Sequence, residues 1–198
     1  MTRLYSLLIL LLLAACGGNK QVQLHYAPTV AIAPGSGKAY IGPVADQRGD
    51  PDPNWVGRVE GGYGNAVAQL RGDQPAADMV RQAFNDGLAA RGMLAQPGSG
   101  ARELRIAVRQ LDVDQFNRKE ARLNLALDVI GASGQPVYHD EVKLNPVRGS
   151  LITFEAGIFA DTDKLRDLLA QTLSEAVDQM LDKPGFRQAV QASGGRVS

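Results

Sequence analysis

The sequence predicts an α+β fold: one two-layer domain with a mostly antiparallel sheet and two main amphipathic helices packed on one face. Three observations carry that expectation. Leu123, Leu125, Leu127 and Val129 alternate without error against Arg122, Asn124, Ala126 and Asp128, the period of a strand with one apolar face. Ala76, Met79, Val80, Ala83, Phe84 and Leu88 recur at helical spacing, and so do Leu165, Leu168, Leu169, Thr172, Ala176, Met180 and Leu181. Each helix needs one covered face and the sheet offers one, so the economical solution is helices on sheet.

Taken in order, residues 22–32 hold Val22, Leu24 and Tyr26 in alternation before Pro28, which reads as a short extended or edge segment. Ala39 to Ala45 is a strand, followed by the polar Asp46-Gln47-Arg48. Gly49-Asp50-Pro51-Asp52-Pro53 and Gly61-Gly62-Tyr63-Gly64 are turns by composition, which makes Trp55 to Val59 and Asn65 to Leu70 two arms of a hairpin. Asp73-Gln74-Pro75 has the form of a helix start with an acidic cap, and Gly92 ends that helix. Leu104, Ile106 and Val108 alternate, then Leu111 and Val113 continue one residue out of phase, which places a bulge near Gln110. Residues 121–145 form a second hairpin around Gly131 to Gln135. Residues 145–160 fit no single pattern, with Leu151-Ile152-Thr153-Phe154 a short-strand candidate and Phe159 a cover for the core. Asp161 is placed to cap the second helix, and Pro184 ends it or opens a short further turn. The exposed face of that helix is expected to carry Asp167, Glu175 and Asp178.

The first sixteen residues follow a different logic. Arg3 precedes an almost unbroken aliphatic run from Leu4 to Leu13, and Leu13-Ala14-Ala15-Cys16 closes it with the protein's one cysteine. The run is shorter than the roughly 20 residues of a spanning helix and fits the roughly 7–15 of a signal-peptide core. The closing residues resemble a lipobox, so the expectation is a bacterial lipoprotein signal with Cys16 as the lipid attachment site. Two or three acyl chains hold a protein stably where one holds it reversibly. The division expected is a signal peptide over residues 1–15, a lipidated tether over 16–21, a periplasmic α+β domain over 22–191, and a loose tail over 192–198. Gly17 lacks the aspartate that favours inner-membrane retention in this class, so the outer membrane, lipid-anchored and periplasm-facing, is the expected location.

Composition narrows the chemistry. With 21 basic and 21 acidic residues the chain is neutral, which argues against a nucleic-acid partner because that surface must displace counterions. With aromatics at 6%, the core must rest on Leu, Val, Ile and Ala. His25 and His139 are the two histidines, too few beside a lipidated cysteine for a zinc set, so neither a metal site nor a cofactor is expected. His139 and Glu141 share a strand face as a surface pair. Asp112 and Asp114 share another, and water-exposed strand-end acids are the ordinary reading of them. Gly62-Tyr63-Gly64 lacks the third glycine of a dinucleotide loop, and no G-x-S-x-G elbow is present. The expectation is therefore not an enzyme but an anchored accessory or binding module. Its candidate partner-binding residues are Asp46 and Arg48, on one strand face at the edge of an irregular loop, where a loop-pinning salt bridge is the competing reading. A lipid- or glycan-handling auxiliary lipoprotein of an envelope transport system is the alternative, and it requires an apolar groove between helices and sheet.

The order of elements, with Asp46-Gln47-Arg48 and the helix end Ala89-Ala90-Arg91-Gly92, resembles the YajG-type bacterial lipoproteins over roughly residues 26–190. The resemblance implies a membrane-anchored, periplasm-facing α+β domain, and implies no catalytic mechanism. Its partners would be the membrane, through the lipid on Cys16, and an unidentified envelope protein or lipid.

Overall fold

The structure, a computed structural model, describes residues 18–61, 64–116, 118–148 and 162–191. The lipobox, the stretch containing Leu151 to Phe159, the Asp161 cap and the tail lie outside the described residues. Within them the fold is α+β, with eight strands in one open sheet and three helices. The strands are β1 (Gly18–Val22), β2 (Ala39–Asp46), β3 (Trp55–Glu60), β4 (Ala66–Gly72), β5 (Arg102–Gln115), β6 (Lys119–Ile130), β7 (Pro136–Leu144) and β8 (Val147–Arg148). The helices are α1 (Ala76–Ala90), α2 (Thr162–Asp182) and α3 (Pro184–Gln191).

The sheet runs β1-β4-β3-β5-β6-β7, with β2 beside the first half of β5 and β8 beside the start of β6. The two expected hairpins are present: β3 pairs antiparallel with β4, and β6 with β7. The expected bulge is also there, since the β5–β6 register shifts between Val108 and Gln110. That extra residue keeps Leu104, Ile106 and Val108 on the same buried side as Leu111 and Val113, all at 2% exposure or less. Three pairings are parallel, β1 with β4, β2 with β5 and β3 with β5, so the sheet is mixed but mainly antiparallel.

Two local expectations are corrected. Residues 18–21 of the expected tether are strand, because Gly18 to Gln21 pair in register with Ala68 to Arg71, and the chain after Val22 leaves the sheet. Asp73 does not cap α1. Pro75 occupies the cap position with extended backbone and no side-chain bond, and the Ala76 N–H is satisfied by the Pro53 carbonyl instead. The helix stripes fall as expected, with every apolar position of both buried. The helices approach closely at Gly87, where an ideal Cβ would stand 2.6 Å from Val177 Cγ1. Gly92 takes φ +65° just past α1, and the Met93 N–H returns to the Leu88 carbonyl to close the end. The α3 segment docks through Phe186 and Val190, and Phe186 meets Tyr138 of β7 edge-on with ring centroids 6.4 Å apart.

Candidate functional site

The buried polar chemistry centres on Arg91, at the end of α1. Its side chain turns back into the protein and is fully buried, a placement that for an unpaired charge would be prohibitive. Asp178 and Asp182 lie four residues apart on α2 and so face the same way. The guanidinium forks onto both: Nε donates to Asp182 Oδ1 at 2.9 Å, and Nη2 to Asp182 Oδ2 at 2.6 Å and Asp178 Oδ1 at 2.9 Å. Nη1 donates to the Tyr26 hydroxyl and to the Gly87 carbonyl. Every N–H of the guanidinium has a partner.

Asp178 is thereby corrected from an exposed helix acid to a buried one, 2% exposed. Its second oxygen accepts from both the N–H and the hydroxyl of Thr29, each at 2.7 Å, while Tyr26 donates to its first oxygen at 2.6 Å. Burial alone would raise the Asp178 carboxyl, but bonds from Tyr26, Thr29 and Arg91 outweigh it and hold the pKa below the usual carboxylate range. Asp182 is likewise lowered against burial, by Arg91 and Arg187. The Tyr26 phenol is pushed up by burial and by its bond to Asp178. Arg187 of α3 completes the assembly, joining Asp182 at 2.6 Å to the Ala33 and Pro34 carbonyls.

These bonds fix the stretch between β1 and β2 as a strap across the helices. Tyr26 and Thr29 hold its first half to α2, Arg187 holds its second, and the Gly35 N–H bonds the Arg91 carbonyl. Pro28, read as an interruption, sits where the strap passes between its two attachments and has no N–H to satisfy.

Asp46 and Arg48 meet at the far end of β2. The Arg48 side chain is 5% exposed; its Nε and Nη2 fork onto Asp46, and Asp46 is held well below the usual range, chiefly by that bond. The remaining Arg48 donors reach the carbonyls of Trp55, Pro53 and, at 3.4 Å, Leu111. The pair therefore ties the 46–55 loop to β3 and β5, and Asp46, with its side chain 25% exposed, is the part of it that meets solvent.

Asp112 and Asp114 are also corrected. Asp112 is buried at 6% exposure, and Arg122 from the adjacent strand bonds both carboxylates, with Gln110 adding a bond to Asp112. Two acids neutralised by one arginine do not present the opposed pair that glycoside chemistry uses. His139 pairs with Asp128 at 2.7 Å, and Glu141 with Arg109 at 2.6 Å, on the solvent face of the sheet.

An open cleft of about 600 Å³ lies between β1 and the first half of α2. Gln21, Gln23, His25, Asp73, Arg166 and Asp167 line it together with Val22 and Ala170, and its wall is polar and apolar in similar measure. The space between helices and sheet is filled: Met79, Phe84, Leu88, Leu104, Leu125, Leu169 and Val177 have essentially no exposure. Among the described residues no group of acids and histidines is arranged to hold a metal, and no helix is long and apolar enough to cross a membrane.

No family model matches the sequence, and no curated protein matches it. Solved structures do. A Xanthomonas campestris protein of the DUF330 family superposes with a TM-score of 0.61 at 16% identity, over 86% of this chain and 96% of that one. The PelC dodecamer from Paraburkholderia phytofirmans gives 0.45 at 13% identity, over 80% and 93%. A candidate lipoprotein from Caulobacter crescentus gives 0.41 at 17% identity, over 61% and 84%. This chain thus has its overall fold in common with the Xanthomonas protein.

Proposed function

We propose that the chain is a bacterial lipoprotein anchored through Cys16, facing the periplasm from the outer membrane, and acting as a non-enzymatic accessory or binding module of the cell envelope. The observation that carries this reading is Leu13-Ala14-Ala15-Cys16 at the end of an apolar run, with the folded sheet starting at Gly18. The YajG-type resemblance belongs to the same reading, through Asp46-Gln47-Arg48 and the Arg91-Gly92 helix end. The buried ionisable groups suit a binding module, because Arg91, Asp178 and Arg48 are spent on internal bonds that hold helix, strap and loop together. Partner contact at the Asp46 and Arg48 corner would run through the exposed edge of Asp46.

The lipid-handling alternative requires an apolar groove where the described core is packed. The Gln21, Gln23, His25 and Asp73 side chains in the cleft beside β1 favour its glycan-handling form. Growth with an alkyne fatty acid tests the anchor: the wild type should be labelled and sediment with membranes, and Cys16→Ser should lose both properties. An unlabelled wild type in the soluble fraction would defeat the reading.

A further inference from the structure

The strand registers align one end of the sheet with the start of the folded chain. Gly18 pairs with Ala68, Ala68 with Val59, Val59 with Gln115, Gln115 with Lys119, and Lys119 with Arg148. That single row crosses six strands, about 24 Å at the usual strand spacing. Cys16 lies two residues before Gly18, a reach of at most about 7 Å. An anchor there holds the whole row, and not just β1, against whatever surface carries the lipid.

The side chains along this end suit a bilayer. Of the exposed large apolar residues, Phe116 at 42% and Val147 at 44% lie at or just beyond the row, and Val67 beside it. Val30, Leu94 and Val137 lie elsewhere. Lys20, Arg118, Lys119 and Arg148 supply cations. Among the described residues the acids at this end are paired, Glu60 with Arg58, Asp114 with Arg122, Glu120 with Arg118, and Asp167, which shares a shallow pocket with Lys119 and Arg148, with Arg166. Among the described residues no carboxylate pairs with Lys20, Lys119 or Arg148, and the Arg148 guanidinium bonds the neutral Gln171 amide. Apolar side chains beside cations that have no carboxylate partner among the described residues match an interface whose acyl boundary is apolar and whose headgroup phosphates are anionic.

We infer that this end of the sheet, marked by Phe116, Val147, Lys119 and Arg148, is a second membrane contact that lies on the anionic lipid headgroups around the anchor. The domain then stands on the bilayer with its strands steeply inclined and its β2 start and β6–β7 turn pointing away. This inference rests on Cys16 being the anchor.

The test uses the full lipidated protein in phosphatidylethanolamine–phosphatidylglycerol vesicles. With Cys16 acylated, Phe116→Cys and Val137→Cys each provide one thiol for an environment-sensitive bimane, and shallow brominated lipid serves as quencher. The expected result is a blue-shifted, quenched probe at position 116 and an unquenched one at 137, with quenching at 116 lost on Lys119→Glu with Arg148→Glu. Equal, solvent-like emission from both probes on protein that floats with the vesicles would overturn the contact while leaving the anchor standing. Protein that does not float would overturn the anchor and this inference together. Far-ultraviolet circular dichroism of each variant separates loss of contact from loss of fold.

Discussion

Replacing Arg91 by methionine is expected to lower the unfolding free energy by about 3–5 kcal/mol, because it strands the buried Asp178 carboxylate, while Asp182 keeps its bond to Arg187. Among the described residues Asp178 has no other cation, and it would keep only the neutral donors of Tyr26 and Thr29. Replacing Arg91 by methionine together with Asp178→Leu is expected to recover most of that loss, since an apolar pair of similar volume carries no desolvation penalty. Urea unfolding of the three proteins measures both effects. A loss under about 1 kcal/mol for Arg91→Met would mean that the cluster behaves like an exposed ion pair. The same cluster sets an acid limit. Asp178 and Asp182 have folded pKa values below their unfolded ones, so their contribution is complete above the unfolded value, about 4, and is lost as pH falls through the folded values. Acid unfolding of the wild type should therefore begin below about pH 4, with the strap carrying Tyr26 released as α1 and α2 separate.

Phe186→Ala is the second large effect expected, about 3–5 kcal/mol for an aromatic side chain with no exposure. Phe186 and Val190 are the buried residues of α3, so losing the ring removes the larger of its two apolar anchors. The consequence extends beyond the cavity. Arg187, the next residue, is what ties Asp182 to the Ala33 and Pro34 carbonyls. Hydrogen exchange should quicken in residues 184–191 and also at the Gly35 N–H, which is bonded to the Arg91 carbonyl. Unchanged exchange at Gly35 would show that the strap does not depend on α3.

The parts of this architecture that repeat locally were open to reading from sequence. Alternation along β6, the phase slip in β5 and the two helical stripes each reflect neighbours on one element, and the structure keeps all of them. The parallel pairings were not legible, because the partners of β1 and β2 are distant in the chain and share no turn with them. Tyr26, Asp178 and Arg91 were missed for the same reason: Asp178 and Arg91 are separated by 87 residues. A polar residue flanking an apolar stripe reads as solvated until its partner is placed. A signal did exist, since Asp178 and Asp182 repeat at one helical turn immediately beside Met180 and Leu181, with an arginine at the end of the other helix. The Asp46 and Arg48 pairing was visible because it is local. The carbonyls of Pro53, Trp55 and Leu111 that complete it carry no sequence mark at all.

In the function proposed here, Cys16 becomes the first residue of the mature protein and carries lipid. Intact mass spectrometry of the protein extracted from envelopes, followed by sequencing of its N-terminal peptide, tests that directly. The expected result is a chain beginning at Cys16 with diacylglycerol on the sulfur. A chain that retains Met1, or one that begins elsewhere with a free thiol or no cysteine, would contradict it.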